Sequence, residues 1–390
     1  MKVIRQYLIH ISLVIYITAT AMPLLFWGVD GVFPKATVAS VSLIILLTFF
    51  HTIKQIKRNQ IISLFYLLFL FLFTSTVFVD GPVGASVLNE YFQFFMISGI
   101  GALIITNYNY NYELFLRSLI IVSIIVAPNV ISYNYSSLSY DVHNDEWMFQ
   151  IYAITPYLVG SIHYIFVGEN NLFKILSFIC LVLFFPMFIM HTPRGAVVTI
   201  IMSVMFFILQ NRIANGIKQR ALILWMIALI IGCILISDVI VSSLQKLSDT
   251  YELRWLAKFV YEEDISNNRY PLYAMAWEGF LDSPIWGNGI ATFNNFDGYP
   301  HNLFLQMLYE TGLLMIIPFV YILIKTIKTI FSVKRTCNID YRFVTFYFLI
   351  SINQLMFSSY FWRNQSFWMM TWIMLAIIGC KKDNVIMTNK

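Results

Sequence analysis

Three short polar clusters carry the side chains of this sequence that could bind an anion or move a proton. In the first, MHTPRGA, Arg194 follows Pro193 at the predicted start of a helix. A helix start offers free backbone N–H groups and a partial positive charge, and an adjacent guanidinium can hold phosphate oxygens in a bidentate fork. The cluster therefore indicates an anion-binding position, although an arginine that only anchors a helix end would give the same pattern.

The second cluster is NNRYPLYAMAWEGFLDSPIWGNGIATF. Arg269 comes just before YPLYAMAWEGFLD, whose apolar spacing predicts an amphipathic helix. Pro284, Gly287 and Gly289 then predict a tight turn, where glycines let another part of the backbone approach closely. We take Arg269 as a second candidate for binding an anionic group, against the alternative of a solvated loop arginine.

The third cluster is YPHNLFLQMLYETGLL. Asn302, Gln306 and Glu310 are spaced by four residues, which predicts one polar helix face below His301. A carboxylate in an apolar span normally faces the bundle interior and marks a functional or structural pairing. Histidine is the side chain whose unperturbed pKa suits base catalysis near neutrality, which makes His301 the candidate base. The alternative is an interfacial histidine in a polar loop.

The composition shows what kind of elements must position these clusters. Of 390 residues, 59% are hydrophobic and 12% charged, whereas a soluble domain carries roughly 25% charged residues. The 35 Phe and 23 Tyr suit lipid-facing helices and aromatic belts at the membrane interfaces. We therefore predict an all-α integral membrane protein whose environment is the lipid bilayer. The net charge of +5 does not indicate a nucleic-acid partner, because the basic residues fall in short gaps between apolar runs.

About twelve apolar runs are long enough to be transmembrane helices. We place them at 7–29, 36–53, 61–79, 85–106, 114–132, 147–167, 172–190, 195–210, 221–241, 303–330, 341–360 and 365–380. The predicted organisation is nine transmembrane helices in 1–241, one long extracytoplasmic catalytic loop in 242–301, and helices ten to twelve with a cytoplasmic tail in 302–390. The loop also contains SSLQKLSDTYELRWLAKFVYEE, a second amphipathic pattern.

The distribution of Lys and Arg supports this topology with both termini in the cytoplasm. Most basic residues fall in the segments that it places inside, as the positive-inside rule requires. The few that it places outside are Lys35, Arg194, Lys246, Arg254, Lys258, Arg269 and Arg363. All three polar clusters lie on this outer side, so they could meet there.

Several chemistries find no support in the sequence. Cys180, Cys233, Cys337 and Cys380 have no CxxC spacing, so neither a disulfide framework nor structural zinc is expected. There is no G-x-x-x-x-G-K-[ST], G-x-S-x-G or H-E-x-x-H motif, which argues against an ATPase, an α/β-hydrolase and a zincin.

Taken in order, TPRGA, NRYPLYAMAWEGFLDSPIWGNGIATF and PHNLFLQMLYETGLL resemble the signature of the O-antigen ligase and polymerase superfamily. Members show an Arg-Gly element, an Arg-led helix ending in P-x-x-G-x-G, and an H-N-x-x-L-x-x-x-x-E-x-G element that opens a late span. The resemblance covers mainly residues 190–315. Pro193, Asn268 and Tyr273 depart from the pattern, but the arginines and the histidine are present.

The resemblance implies a membrane glycosyltransferase that acts on glycans carried by undecaprenyl diphosphate, at the outer face of the cell inner membrane. By position, Arg194 and Arg269 would bind the diphosphate, and His301 would take the proton of the acceptor hydroxyl with inversion at the anomeric carbon. Glu310 would orient His301 or its helix, with Asn302 and Gln306 in support. No cofactor or metal is implied, because the diphosphate leaving group is already activated.

Three functions remain open at this point. The short connection from Gly287 to His301 favours a polymerase that joins oligosaccharide repeat units of a surface polysaccharide, with a chain-length regulator as a candidate partner. The alternative is an O-antigen ligase that transfers the glycan to lipid A-core. A flippase for lipid-linked oligosaccharides is the third, and it is disfavoured because transporters show paired halves, discontinuous helices and charges near the midplane.

Overall fold

The computed structural model describes residues 2–18, 32–78, 95–136, 146–191, 194–214, 269–293, 300–332, 340–357 and 360–387, and all regular secondary structure in these ranges is helical. A 3₁₀ turn at Ile53–Gln55 and a π-helix at Phe95–Ile100 accompany the α-helices. The α-helices in these ranges are α1 (Lys2–Ile17), α2 (Val32–Thr52), α3 (Arg58–Phe78), α4 (Gly101–Thr106), α5 (Tyr112–Ser136), α6 (Glu146–Val167), α7 (Asn171–His191), α8 (Arg194–Ala214), α9 (Tyr270–Asp282), α10 (Leu303–Ser332), α11 (Tyr341–Phe357) and α12 (Gln365–Met387).

The predicted all-α fold is confirmed for this part of the chain. Helices lie in eleven of the twelve predicted spans, and α9 covers the predicted amphipathic segment YPLYAMAWEGFLD from end to end. The predicted span 221–241 and residues 242–268 of the predicted loop lie outside the described residues. The division into 1–241, 242–301 and 302–390, and the number of membrane crossings, stay predictions.

The surface and the interior of the described helices are arranged for a lipid solvent. Large apolar side chains are exposed along helix faces, with Leu46 at 78%, Phe65 at 69% and Phe178 at 62%. Polar side chains such as Gln60 and His163 are instead buried between helices. A water-soluble protein would bury the first group and expose the second, so this arrangement indicates a membrane protein.

Two compact units divide the chain, and the first contains α1–α4, the start of α5 and α9–α12. Its centre is α12, where Trp368 and Trp372 are fully buried. The Trp372 indole donates to the carbonyl of Gly99 in the π-helix at 2.8 Å, and the Gln60 amide of α3 donates to the Trp372 carbonyl at 3.0 Å. These bonds tie two elements, the π-helix and α3, to one central helix.

The second unit contains the rest of α5 and α6–α8. Gly160 of α6 lies where a Cβ atom would meet the Leu119 side chain of α5, so the two helices approach closely there. The Ser123 hydroxyl lies 2.9 Å from the Cys180 thiol, which joins α5 to α7. The buried His163 ring stacks on Phe207 of α8 at 3.6 Å between ring centroids. His163 is thus a packed core residue of this unit.

Helix α10 is two helical arms that meet at Gly312. By length and composition, its residues Leu303–Phe331 form the one helix among the described residues that could cross a membrane. Gly312 nevertheless has φ 58° and ψ −155°, which no helix contains. The rings of Phe304 and Phe319 lie 6.1 Å apart, although in a straight helix their Cα atoms would be about 22 Å apart. We call Leu303–Thr311 the first arm and Leu313–Ser332 the second arm; the second arm alone, at about 30 Å, is long enough to cross.

Replacement of Gly312 by alanine is expected to destabilise the protein by about 2 kcal/mol or more. The dihedral angles at this position are those that only glycine adopts readily. A Cβ atom would also lie 2.5 Å from the backbone oxygen of Ile285. Thermal unfolding in detergent, followed by tryptophan fluorescence, measures the loss.

The matched control is Gly101→Ala in α4 of the same unit. A Cβ atom there would lie 3.5 Å from the Val41 side chain, which is an ordinary contact, and the position is helical. Its melting temperature should stay close to that of the wild type. Equal melting temperatures for the Gly312 and Gly101 variants would contradict the break in α10.

Candidate functional site

A loop between α9 and α10 fills the break at Gly312. An unbroken helix would join the Leu313 N–H to the Tyr309 carbonyl and the Leu314 N–H to the Glu310 carbonyl. Instead, the two N–H groups donate to the carbonyls of Pro284 and Ile285, at 2.9 and 3.3 Å. The two carbonyls accept from the N–H groups of residues 288 and 289, at 2.8 and 3.0 Å. We call residues 283–289 the clamp loop, because it replaces both interrupted hydrogen bonds.

Glycines permit this close approach of two backbones. Gly287 has φ 75°, and a Cβ atom there would collide with the backbone of Glu310 and Thr311. A Cβ atom on Gly312 would collide with Ile285 and Gly287. The P-x-x-G-x-G and E-x-G patterns seen in the sequence are therefore two halves of one contact.

Asn288 joins α9 to the first arm through its side chain. Its amide nitrogen donates to the carbonyl of Gly279 at 2.7 Å and to that of Tyr309 at 3.2 Å. The Tyr309 ring packs against Gly279 and, edge to face at 4.8 Å, against Phe293. Ala276 completes this small buried core.

These contacts show that α9 and the first arm run in the same direction. Gly279 lies beside Tyr309, and five residues later Pro284 is bonded to Leu313. Residues later in α9 and its following loop thus contact residues later in the first arm and just after it. The two helices are therefore parallel, and their N-termini lie at the same end. Arg269, the N-cap residue of α9, and His301, which precedes the first arm, are therefore at that common end.

The residues at the start of the first arm have a defined conformation. Asn302 caps the helix, since its side-chain oxygen accepts from the N–H groups of Phe304 and Leu305 at 3.0 and 3.2 Å. His301 is half-buried and has φ 46°, in the left-handed region that few non-glycine residues occupy. Such a strained backbone conformation persists only where the surrounding structure holds it, and such conformations are frequent at functional sites.

Gln306 and Glu310 form a buried pair inside the first arm. Gln306 donates its amide to one carboxyl oxygen of Glu310 at 3.1 Å, and both side chains are almost fully buried. The other carboxyl oxygen, Oε2, is buried without a hydrogen-bond partner among the described residues. The predicted contact between Gln306 and Glu310, four residues apart on one helix face, is thus present. The Asn302 side chain instead caps the helix end and does not continue that polar face.

The predicted site residues are distributed over both units. Arg269, His301, Asn302, Gln306 and Glu310 belong to the first unit, where α9 and the first arm bring them onto two adjacent helices. Arg194 is the first residue of α8 in the second unit, as predicted from its position after Pro193. The structure describes the helix at Arg194 but not its side chain.

The comparison with known families concerns this part of the chain. Residues 178–320 match the family model described as O-antigen ligase. This match supports the resemblance of the chain to the O-antigen ligase and polymerase superfamily. The match covers little more than a third of the chain and includes all six predicted site residues. No curated protein matches the chain.

The match supports a membrane protein of cell-envelope polysaccharide biosynthesis with a ligase- or polymerase-type transfer reaction. The family implies substrates that are lipid-linked glycans in a membrane. It does not separate polymerase from ligase.

Sequence reasoning predicted the tight turn at 284–289 and a close backbone approach there, but it did not find the break in α10 that this turn fills. It predicted one continuous span at 303–330. It also argued against a transporter on the ground that discontinuous helices were not expected. Because α10 is broken at Gly312, that argument against a transporter no longer holds. A signal was available, because an isolated glycine in an apolar helical run can mark a break. Its partner, the clamp loop, could not be identified from local sequence.

Loss of the Asn288 side chain is expected to loosen α9 from the first arm. Asn288→Ala removes two side-chain hydrogen bonds, while the carbonyls of Gly279 and Tyr309 keep their backbone N–H donors, and this loss should cost about 1–3 kcal/mol. The measurement is thermal unfolding of the purified protein. Asn59→Ala is the control, because Asn59 makes one long amide bond of 3.4 Å to Leu375. A loss for Asn288→Ala no larger than for this control would show that the side chain does not hold the helices together.

Proposed function

We propose that this protein is an O-antigen polymerase, a membrane glycosyltransferase that joins undecaprenyl-diphosphate-linked oligosaccharide repeat units of a surface polysaccharide. The observation that carries the proposal is the parallel pairing of α9 with the first arm, which puts Arg269 and His301 at one end of two adjacent helices. The family match over residues 178–320 supports the same class of reaction.

The proposed reaction needs an electropositive site for the leaving diphosphate. Two helix N-termini at the same end contribute partial positive charge, although Asn302 already accepts from two N–H groups of the first arm. Arg269 adds a guanidinium at this end, which suits bidentate binding of phosphate oxygens. We assign Arg194, at the N-terminus of α8, as the second diphosphate-binding arginine. Together they stabilise the charge that develops as the bond to the diphosphate breaks.

The second requirement is a base for the acceptor hydroxyl. In the proposed step, His301 takes the hydroxyl proton as the hydroxyl oxygen forms a bond to the anomeric carbon of the donor sugar. The bond from that carbon to the diphosphate breaks, and the diphosphate leaves with the electron pair. A single displacement inverts the configuration at the anomeric carbon. No metal or cofactor is required in this scheme, because the diphosphate is an activated leaving group.

Glu310, Gln306 and Asn302 act on His301 through the first arm. Asn302 closes the first turn of the helix directly after His301, and Gln306 fixes the Glu310 carboxyl inside it. We assign Glu310 a role in orienting His301 and its helix, with Asn302 and Gln306 in support. The strained φ of His301 is consistent with an imposed orientation.

A ligase that transfers the finished glycan to lipid A-core is the second candidate. The matching family is described as O-antigen ligase, and the match is compatible with either reaction. The polymerase comes first because the connection from Gly287 to His301 is short, as it is in the polymerases that the sequence resembles. Both reactions would use the same arginines and histidine, so the acceptor decides between them.

The broken helix gives no comparable support to a transporter. Discontinuous helices of transporters coordinate ions or substrates with their free backbone groups. In α10 the backbone groups of Tyr309, Glu310, Leu313 and Leu314 are bonded to the clamp loop. The break therefore positions a helix and does not leave an open backbone site.

We further propose that the protein works in the inner membrane, with both termini in the cytoplasm and the site on the outer face. The lipid bilayer and an undecaprenyl-diphosphate-linked glycan are its proposed partners, together with a chain-length regulator and without nucleic acid. Exposed Trp277 and Tyr270 on α9 agree with a helix at a membrane interface, where such rings are enriched.

Removal of either proposed site residue should abolish long surface glycans. His301→Ala removes the base, which typically costs 10²–10⁴-fold in rate, and Arg269→Ala removes a diphosphate ligand. The measurement is the glycan banding pattern on a gel, in a host deleted for this gene and complemented with each variant. Loss of long chains with single-repeat caps remaining indicates a polymerase. Loss of all capping while carrier-linked polymer accumulates indicates a ligase.

Arg117→Ala is the matched control for loss of an arginine. Arg117 is paired with Glu113 at 2.9 Å on α5, on the side that the sequence predicts to be cytoplasmic, and this variant should complement fully. Immunoblots of the membrane fraction must show equal amounts of each protein. Full complementation by both His301→Ala and Arg269→Ala would rule out the assigned site.

A further inference from the structure

The turn between α11 and α12 holds a third arginine in an aromatic setting. The guanidinium carbon of Arg363 lies 4.8 Å from the ring centroid of Trp362 and 5.5 Å from that of Tyr360. Phe361 and Trp362 are buried, and Arg363 itself is half-buried. These are the distances of cation–π contacts, in which the ring faces hold the cation in place.

Hydrogen bonds make this turn rigid. The Arg363 N–H donates to the Tyr360 carbonyl at 3.2 Å, and the Arg363 carbonyl accepts from the Ser98 hydroxyl at 3.2 Å. The Trp368 indole donates to the Trp362 carbonyl at 3.2 Å. Ser98 belongs to the π-helix, a type of element that is frequent at functional sites. The turn is thus anchored on the central helix of the first unit.

Partial burial of Arg363 carries an energetic cost. Burial lowers the pKa of its guanidinium, because the charged form loses hydration. An apolar side chain would fill the same space between the aromatic rings without that cost. A charge retained against desolvation in a membrane protein marks a functional position by default.

Arg363 also lies at the same end of the first unit as His301. Phe304, three residues after His301, packs at 6.1 Å from Phe319. Phe319 packs at 5.5 Å from Phe367, four residues after Arg363. The Phe319 ring therefore links the first turn of the first arm, at Phe304, to the first turn of α12, at Phe367.

We propose that Arg363 is a specificity residue that binds an oxyanion on the lipid-linked substrate, and that this oxyanion is a carboxylate or phosphate group of the saccharide. The planar guanidinium matches both groups bidentately, and the neighbouring rings of Tyr360 and Trp362 restrict its orientation. The diphosphate of the carrier is also an oxyanion, but the proposed function already assigns Arg269 and Arg194 to bind it. The inference rests on that function, and it adds recognition of an acidic sugar.

The test uses the full-length protein in lipid nanodiscs with two probes. The first probe is undecaprenyl diphosphate without a glycan, and the second is the host's own lipid-linked repeat unit. Arg363→Met keeps the apolar stem and removes the charge, whereas Arg363→Lys keeps the charge and removes the bidentate fork. Lys325→Met is the matched control, because Lys325 makes a similar contact with the Tyr321 ring at 5.3 Å on the second arm.

The expected result separates the two sources of an oxyanion. Arg363→Met should weaken binding of the lipid-linked repeat unit about tenfold, with KM raised and kcat within about twofold, and Arg363→Lys should recover part of the loss. Binding of undecaprenyl diphosphate should stay unchanged. Equal weakening for both probes would assign Arg363 to the carrier diphosphate and overturn its role in saccharide recognition.

Other outcomes are equally decisive. The inference would be overturned if both Arg363 variants bound the repeat unit with an affinity within twofold of that of the Lys325→Met control. Should Arg363→Met fail to fold, the Lys variant decides alone, because loss of the fork must still weaken the repeat unit selectively. Wild-type protein that binds the repeat unit through Arg363 but does not extend or transfer it would refute the proposed function and leave the inference standing.

Discussion

Backbone hydrogen bonding across the break in α10 is the interaction on which the arrangement of the site depends. Lipid offers no partners to interrupted N–H and C=O groups, and each unsatisfied group costs several kcal/mol there. The clamp loop takes up both interrupted bonds, with Pro284 and Ile285 accepting and residues 288 and 289 donating. This exchange requires two backbones in direct contact, which explains the glycines at 287 and 312. It also fixes α9 beside the first arm.

The same requirement for internal hydrogen bonding shapes the rest of the first unit. Pro318 cannot donate to the Leu314 carbonyl, and the Tyr66 hydroxyl of α3 does so instead at 2.7 Å. The carbonyls of Ile97 and Ser98 in the π-helix accept from the Tyr16 hydroxyl, both at 3.1 Å. Tyrosine hydroxyl groups thus complete irregular helices. This interior supports the turns that carry His301 and Arg363.

The chemistry proposed for this site asks little of the protein beyond positioning and charge. The leaving diphosphate is already activated, so cations and helix N-termini stabilise its departure and one base accepts a proton. Parallel alignment of α9 with the first arm places a cation, Arg269, and the proposed base, His301, at one end. In the proposed scheme Arg363, linked to that end through Phe319, adds a cation for the glycan.

The sequence alone determined the helical segments, because an apolar run of about 20 residues in lipid can satisfy its backbone only as a helix. It also determined the extent of α9 and the pairing of Gln306 with Glu310, which depend on helical periodicity. Only the tertiary structure decided the bend at Gly312 and the parallel direction of α9, and it turned Asn302 into a cap. A glycine within a helix permits a bend without requiring one. Hydrogen bonds from the clamp loop, more than twenty residues earlier in the chain, make that bend favourable here, and local sequence does not contain those contacts.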